Sequence, residues 1–300
     1  MFDVRRRDFI SLLGAVTAAW PLAARAQQGE RVRRIGILMN VVESDPDGRA
    51  RLAVFEQRLK ELGWTDGRNV RFDFRGGAGD SERYRRYANE LIALSPDVIF
   101  TNASAIVAPL QQVTRTVPIV FATVIDPVGA GLVDSLARPG GNITGFIAFE
   151  YAIAAKWLEL LKEIAPGVTR AAVLRDPAIA AGIGQFAAIQ AVGPIGMQLS
   201  VISTREVDAI EPAVAAFARL SNGGLVVTAG PIAANNAGLI RTLAARYKLP
   251  AVYPFRYFVE AGGLVSYGPD VAPRRATSTA SSRARNLLTC RCKRLPSTKW

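Results

Sequence analysis

Hydrophobic runs of strand length alternate along this chain with segments of helical periodicity. The run 34–39 is apolar without alternation, which predicts a strand buried on both faces of a sheet. In the segment 48–63, Leu52 and Phe55 lie on one helical face and Gly63 follows at the end. This part of the chain is therefore predicted to begin with a strand followed by a helix.

The same alternation continues in two series separated by the glycine-rich segment 140–145. Strands alternating with helices imply parallel sheets covered on both faces. We therefore predict an α/β fold of two doubly wound parallel-sheet lobes joined by a hinge, with lobe 1 at 30–145, lobe 2 at 146–267 and a return toward lobe 1 at 268–271. The further predicted strands are 70–74, 97–102, 118–124, 170–175, 199–203, 224–228, 251–253 and 264–267. The further predicted helices are 80–94, 105–115, 151–164, 184–192, 207–220 and 234–247.

The net charge of +12 is concentrated near the two ends of the sequence. Residues 272–300 carry eight basic residues and no acid, and residues 1–26 add two net positive charges, which leaves only two for the body. A nearly neutral body argues against a nucleic-acid partner. The sequence contains no histidine, which excludes histidine-based catalysis and histidine-ligated metals. We expect no cofactor and no metal site.

The first 26 residues have the pattern of an export signal. Basic residues 5–7 precede an apolar run at 11–22, which is too short to span a bilayer, and Ala24-Arg25-Ala26 resembles a cleavage site. Arg6-Arg7, one spacer and Phe9-Ile10 resemble the twin-arginine signal. The sequence thus predicts export to the periplasm with cleavage after Ala26.

Candidate ligand-binding residues follow the predicted strands, because ligands of doubly wound sheets bind outside the carboxyl ends of the strands. They are Ser44, Asn102, Ala103, Ser104, Asp126, Pro127, Phe149, Arg175, Asp176, Ala229, Gly230 and Tyr253. Asn102-Ala103-Ser104 leads into a helix, where free backbone N–H groups favour a carboxylate; the alternative is a simple N-cap.

The other candidates also have structural alternatives. Asp126-Pro127 is suited to orienting a ligand amine or to forming a turn. Arg175-Asp176 fits a cleft ion pair or a solvated turn. Phe149 fits a ligand cover or a core position.

Four segments resemble the ABC transporter substrate-binding protein family. They are Arg34–Leu38, Phe121–Val128, Ala137–Gly145 and Gly262–Gly268, and the third is the most specific. The resemblance is to the tryptophan/tyrosine-binding-protein-like branch and extends from the signal to about Asp270. It implies the type I periplasmic-binding-protein fold, a small amino-acid-like or other organic solute bound between the lobes, an ABC permease in the inner membrane as partner, and a monomer. It also gives weight to Asn102, Ser104, Asp126 and the Arg175 loop.

After Asp270 the composition changes abruptly to Arg, Ser, Thr, Ala and Cys, and both cysteines of the chain lie there. Residues 277–289 can be back-translated and read one base upstream as a helix and turn of the kind that family members have. We therefore interpret 272–300 as an aberrant, frameshifted basic tail that is disordered; the alternative is a natural basic tail that binds anionic lipid or nucleic acid.

Two further function classes remain open on sequence grounds. An exported α/β enzyme could use Asp45, Asp126 and Asp176, but no spacing singles out an acid–base pair. A sugar-responsive transcription regulator would need an N-terminal helix-turn-helix, where this chain has the predicted signal. We therefore expect a solute-binding protein and not an enzyme.

Overall fold

The computed structural model describes residues 31–41, 45–192 and 196–270. Ten strands form two separate sheets within these ranges, and every strand pairing is parallel. The strands are β1 (Arg33–Met39), β2 (Val70–Gly76), β3 (Val98–Thr101), β4 (Ile119–Val124), β5 (Ile143–Ile147), β6 (Arg170–Arg175), β7 (Gln198–Ser203), β8 (Gly223–Val227), β9 (Ala251–Tyr253) and β10 (Val265–Ser266).

Helices connect most consecutive strands in both series, although β4 and β5 are joined by a segment without a helix. They are α1 (Pro46–Glu61), α2 (Ser81–Ala93), α3 (Ser104–Val113), α4 (Ile153–Ile164), α5 (Ala180–Ala191), α6 (Val207–Ala218), α7 (Pro231–Asn235), α8 (Ala237–Arg246) and α9 (Arg256–Glu260). The predicted helix 234–247 is thus two helices that meet at Asn236.

The two sheets have the same strand order. The first is β2-β1-β3-β4-β5. The second, read from its other edge, is β7-β6-β8-β9-β10, which is again the order 2-1-3-4-5 when its strands are numbered from β6. Each lobe therefore has a switch point where the direction of winding reverses, between β1 and β3 and between β6 and β8. The prediction of two doubly wound parallel-sheet lobes is confirmed.

Each sheet is covered on both faces. In the first lobe, Leu38 faces a core formed with α2 and α3, whereas Ile37 and Met39 face α1. Two further cores cover the two faces of the second sheet, one around the fully buried Trp157 and the other around Ile210. Alternate residues of each central strand thus enter opposite cores, which explains its unbroken apolar sequence.

Strand β5 corrects the predicted lobe boundary. Phe146 and Ile147 pair with β4 in the first sheet, so that sheet continues two residues beyond the predicted end of lobe 1 at residue 145. The glycine-rich sequence concealed this strand. Gly145 is required by close packing, because a Cβ there would lie 2.0 Å from the Phe121 carbonyl oxygen.

The described chain ends beside the second sheet. Tyr267 N donates to Tyr253 O, and Trp157 Nε1 donates to Tyr267 O at 2.7 Å. The predicted return at 268–271 is described only to residue 270 and stays a prediction. The predicted signal (1–26) and the predicted frameshifted tail (272–300) lie outside the described residues.

Candidate functional site

A cleft of about 1140 Å³ lies between the two lobes. Its first-lobe wall contains residues that directly follow β1 and β3, together with Thr123 of β4. Its second-lobe wall contains Gly230, the start of α7, and residues of the α8 and α9 regions. The cleft thus occupies the carboxyl edges of the strands, where doubly wound sheets bind ligands.

Asparagines join the two strands at the first switch point. Asn40 follows β1 and Asn102 follows β3, and the Asn40 backbone N–H donates to Asn102 Oδ1 at 2.9 Å. The Asn102 side chain is therefore fixed by its oxygen, and no described residue accepts from its NH2 group. That NH2 group is left as a donor on the wall of the cleft.

A buried tyrosine supports Asn40 from behind the cleft. The Tyr84 hydroxyl donates to Asn40 Oδ1 at 2.6 Å and accepts from Gly79 N at 2.9 Å. The Tyr84 ring is 1% exposed, and this burial raises the pKa of the hydroxyl well above its usual value. The hydroxyl consequently keeps its proton and acts as a permanent donor to Asn40.

The N-terminus of α3 opens onto the same wall. The N-cap residue, Ala103, has no side chain that can cap the helix, and the Asn102 side chain bonds to Asn40 instead. Ser104 Oγ accepts from Ile125 N at 2.9 Å, which leaves its hydroxyl proton for another acceptor. The structure therefore does not show Asn102 as an N-cap. The N–H groups of Ser104 and Ala105 begin α3 without a side-chain cap, and Ser104 lies on the cleft wall.

Thr123 adds a hydroxyl and a local distortion. It lies at the point where the register between β4 and β5 shifts, and its φ of 56° is in the left-handed region. Its hydroxyl donates to Asn102 O at 2.8 Å. Such a bulge re-aims a strand end beside a binding site, and its strain is maintained here by the bond to Asn102.

Two aromatic pairs flank the cleft, one from each lobe. Phe55 of α1 stacks on Phe100 of β3 with a ring separation of 4.6 Å and an interplanar angle of 19°. Across the cleft, Phe255 and Tyr257 stack at 5.6 Å and 22°. Apolar rings on both walls favour a ligand with a flat apolar part.

The lobes touch at one side of the cleft. Asn235 Nδ2 at the end of α7 donates to Asn40 O at 3.4 Å, and it also lies beside Gly79. Asn40 therefore connects the first switch point, through Asn102, with the second lobe.

Comparison with protein families identifies the group to which this architecture belongs. The model of the family described as "ABC transporter substrate binding protein" matches residues 35–278. The chain belongs to this family. The match extends eight residues past the expected limit at Asp270. The family consists of substrate-binding proteins and not of enzymes, so the alternative of an exported enzyme is not supported.

Sequence and structural relatives agree with the family. A tyrosine-binding protein of Clostridioides difficile is 32% identical over 120 residues, which are 40% of this chain and 34% of the relative. The matched part thus spans about a third of that relative's length.

Two solved structures share the fold at similar sequence identity. A Streptococcus pneumonia ABC domain in complex with L-Trp has a TM-score of 0.69 at 25% identity, with 79% of each chain covered. A ligand-free, open substrate-binding protein with adhesive properties from Clostridium difficile has a TM-score of 0.50 at 26% identity, with 78% of each chain covered.

Four of the predicted binding residues lie on the wall of this substrate-binding protein's cleft. They are Asn102, Ala103, Ser104 and Gly230. Each of the four either follows the carboxyl end of a strand beside a switch point or lies at the start of the helix after that strand. Ser44 lies outside the described residues.

Asp126, Pro127 and Phe149 lie behind the cleft, where Asp126 and Pro127 form a turn between the lobes. Asp126 Oδ1 accepts from Gly129 N at 2.7 Å and Oδ2 accepts from Tyr151 N at 3.1 Å, so both oxygens bond to backbone. Pro127 is buried. Phe149 is 7% exposed and packs edge-on to Trp157 in the core. The structure therefore favours the turn and core alternatives for these residues.

The remaining candidates also support the second lobe from within. Arg175 lies over the Phe186 ring at 4.7 Å, and Asp176 Oδ1 accepts from Ala178 N at 2.9 Å in a local turn. Ala229 is held by two bonds to the buried Gln185. Tyr253 is 1% exposed and stacks on Phe258; its burial raises its pKa to about 12. None of these four side chains lines the described cleft.

Several wall residues were not among the candidates. Asn40 directly follows a predicted strand and Thr123 lies at the carboxyl end of another, and that position was the available signal. Arg51, Phe55 and Tyr257 lie inside helices, and their apolar or amphipathic spacing resembles that of ordinary core residues. Their role depends on how the lobes face each other, which local sequence does not encode.

Proposed function

We propose that this protein captures a small amino-acid-like organic solute with an aromatic part in the cleft between its lobes and delivers it to an ABC permease. The observation that carries the proposal is the cleft at the strand ends, with uncapped donors on one wall and an aromatic pair on each wall. The named ligands of the relatives, tyrosine and L-Trp, agree with this chemistry.

The ligand's carboxylate is placed at the N-terminus of α3. The Asn102 NH2 group, the Ser104 hydroxyl and the first-turn N–H groups are donors there, and the helix dipole favours negative charge. Gly230 approaches from the second lobe and lets the backbone come close to the ligand. The aromatic part then lies between the Phe55–Phe100 and Phe255–Tyr257 pairs.

Closure of the lobes accompanies capture. A ligand that contacts both walls favours the closed state by its differential affinity for that state. The higher TM-score to the L-Trp complex than to the open, ligand-free structure supports a closed form of this chain. The Asn235–Asn40 hydrogen bond links the two lobes on the cleft wall, and helices α3 and α5 also approach each other across the lobes.

Calorimetric titration with L-tyrosine, L-tryptophan and L-phenylalanine tests the proposal. We expect saturable binding of at least one of them, with a raised melting temperature, because a ligand that binds only the native state stabilises it. Asn102→Ala should weaken that binding by roughly tenfold, the effect of losing one hydrogen bond to a charged group. Asn89→Ala, on the exposed face of α2, is the matched control and should bind like the wild type. Absence of binding to all three would refute an aromatic amino-acid-like solute.

The N-terminal segment supports a proposal about location. We infer export to the periplasm by the twin-arginine route, cleavage after Ala26 and function as a monomer without nucleic acid. Replacement of Arg6 and Arg7 by lysine should retain the uncut chain in the cytoplasm. Mass measurement of the exported wild-type chain checks the cleavage site, and unchanged export of the double variant would refute the twin-arginine route.

A further inference from the structure

The cleft has a second polar end that the proposed carboxylate position does not use. Helices α1 and α3 pack on opposite faces of the first sheet, as their separate cores show. Ser104 of α3 and Arg51 of α1 both line the cleft, so they reach it from opposite faces. A ligand that fills the cleft therefore meets donors at both ends.

Arg51 has a donor without an acceptor. Its Nε atom is buried and forms no hydrogen bond to any described residue, and none of the ion pairs between described residues includes it. A buried donor of a charged group without an acceptor is costly, so this position favours a ligand that supplies one. Arginine is also the side chain best suited to a carboxylate or another planar anion.

Both acidic residues on the described wall, Asp45 and Glu260, have interactions of their own. Glu260 Oε1 forms an ion pair with Arg256 Nε at 2.9 Å. Asp45 also lines the cleft and has an interaction of its own. Among the described residues of the cleft wall, Arg51 is therefore the positively charged side chain that is available to an anionic ligand.

Tyr257 faces Arg51 from the second lobe. Burial holds its pKa well above the usual value, while the nearby Arg51 charge acts in the opposite direction. The hydroxyl therefore keeps its proton at neutral pH and is a donor. Within the described ranges it has no hydrogen-bond partner. Arg51 and Tyr257 thus bring one donor from each lobe to the part of the cleft beside the ring of Phe255, which stacks on Tyr257.

We propose that Arg51 and Tyr257 form a second ligand-binding subsite, which takes an anionic group at the end of the ligand opposite the α3 N-terminus. The inference rests on the proposed function, since it concerns the same cleft. It narrows the solute to an aromatic amino-acid-like compound with a second acidic group. The cleft volume of about 1140 Å³, at the upper end of small-molecule pockets, has room for such a ligand.

A matched pair of probes tests this subsite. Para-carboxy-L-phenylalanine and para-carbamoyl-L-phenylalanine have nearly the same shape, but only the first carries a distal negative charge at neutral pH. We expect the wild-type protein to bind the acid on the order of tenfold more tightly than the amide, as is typical of a hydrogen bond to a charged group. Calorimetric titration gives both dissociation constants.

Variants of Arg51 and Tyr257 test whether these side chains cause the tighter binding of the acid than of the amide. Arg51→Gln should abolish the preference by weakening binding of the acid, while its affinity for the amide stays within about threefold of the wild type. Arg49→Gln, an exposed arginine on the same helix, should keep the full preference. Tyr257→Phe, which keeps the stacked ring, should reduce the preference about threefold and tests the subsite independently of the folding of the Arg51 variant.

The outcomes separate this inference from the proposed function. Equal binding of the two probes by the wild-type protein, or a preference that survives in Arg51→Gln and Tyr257→Phe, overturns the subsite and leaves solute capture intact. Binding of L-phenylalanine without binding of either probe has the same consequence. If the wild-type protein binds no aromatic amino acid at all, the proposed function fails and the subsite fails with it.

Discussion

Replacement of Tyr84 by phenylalanine should destabilise the first lobe and loosen its binding wall. The hydroxyl makes two hydrogen bonds, to Asn40 Oδ1 at 2.6 Å and from Gly79 N at 2.9 Å. Each neutral hydrogen bond contributes about 0.5–1.5 kcal/mol, and both partners are left without this atom in the variant. We therefore expect the free energy of unfolding to fall by about 1–3 kcal/mol.

The ring itself should tolerate the change. A Cβ on Gly77 would lie 2.3 Å from the Tyr84 ring, so ring and loop are already in close contact, and phenylalanine preserves that contact. The loss should therefore come from the hydroxyl and not from a cavity. The same variant should weaken ligand binding, because Asn40 positions Asn102 and contacts Asn235.

Urea unfolding followed by tryptophan fluorescence measures this difference. Tyr87→Phe removes a hydroxyl from a partly buried tyrosine on the same helix and serves as the control, with an expected change within about 0.5 kcal/mol. A Tyr84→Phe variant as stable as that control would show that the hydroxyl does not support the cleft, and the reasoning from the hydrogen-bond network would be refuted.

Two more predictions concern close packing and titration. Gly145→Ala should lower the free energy of unfolding by about 1–3 kcal/mol through overpacking, because the new Cβ would meet the Phe121 carbonyl. Gly141→Ala is the control and should not lower it, because the space around Gly141 is open. Equal stabilities of the two variants in urea would count against the packing of β5. Burial raises the pKa of Tyr253 to about 12 in the folded protein, whereas it is near 10 in the unfolded chain. The contribution of the protonated Tyr253 to the free energy of unfolding is therefore fully present below pH 10 and is lost as the pH rises toward 12. The free energy of unfolding should therefore decrease between about pH 10 and about pH 12. Tyr253→Phe should make that decrease smaller, and an identical slope in the variant would refute a buried, protonated Tyr253.

The sequence predicted the fold well because parallel strands leave a strong local signal. Central strands such as β1 and β6 face a core on both sides of the sheet, so the stretches 35–39 and 171–174 are apolar without interruption. Strand β5 gives no such signal. It is an edge strand of five residues that contains Gly145, and its pairing depends on a contact with Phe121 far away in sequence.

The wall of the cleft was predictable only in part. Asn102, Ala103, Ser104 and Gly230 could be found because they follow strands, and strand ends form the cleft in this class of fold. The same rule also selected Asp126 and Asp176, whose carboxylates bond to nearby backbone N–H groups. Sequence alone does not distinguish these two uses, because aspartate is favoured in both.

The distribution of polar groups between the lobes implies an order of events in binding. Asn40, Asn102, Ser104 and Thr123 all belong to the first lobe and are fixed by bonds within that lobe. Their geometry is therefore present before closure, and a solute can bind to this wall first at little conformational cost. The second lobe adds Gly230, the stacked rings of Phe255 and Tyr257, and the Tyr257 hydroxyl at the other end of the cleft. Closure would then bury the aromatic part and select for its shape, whereas the first lobe selects for the polar end.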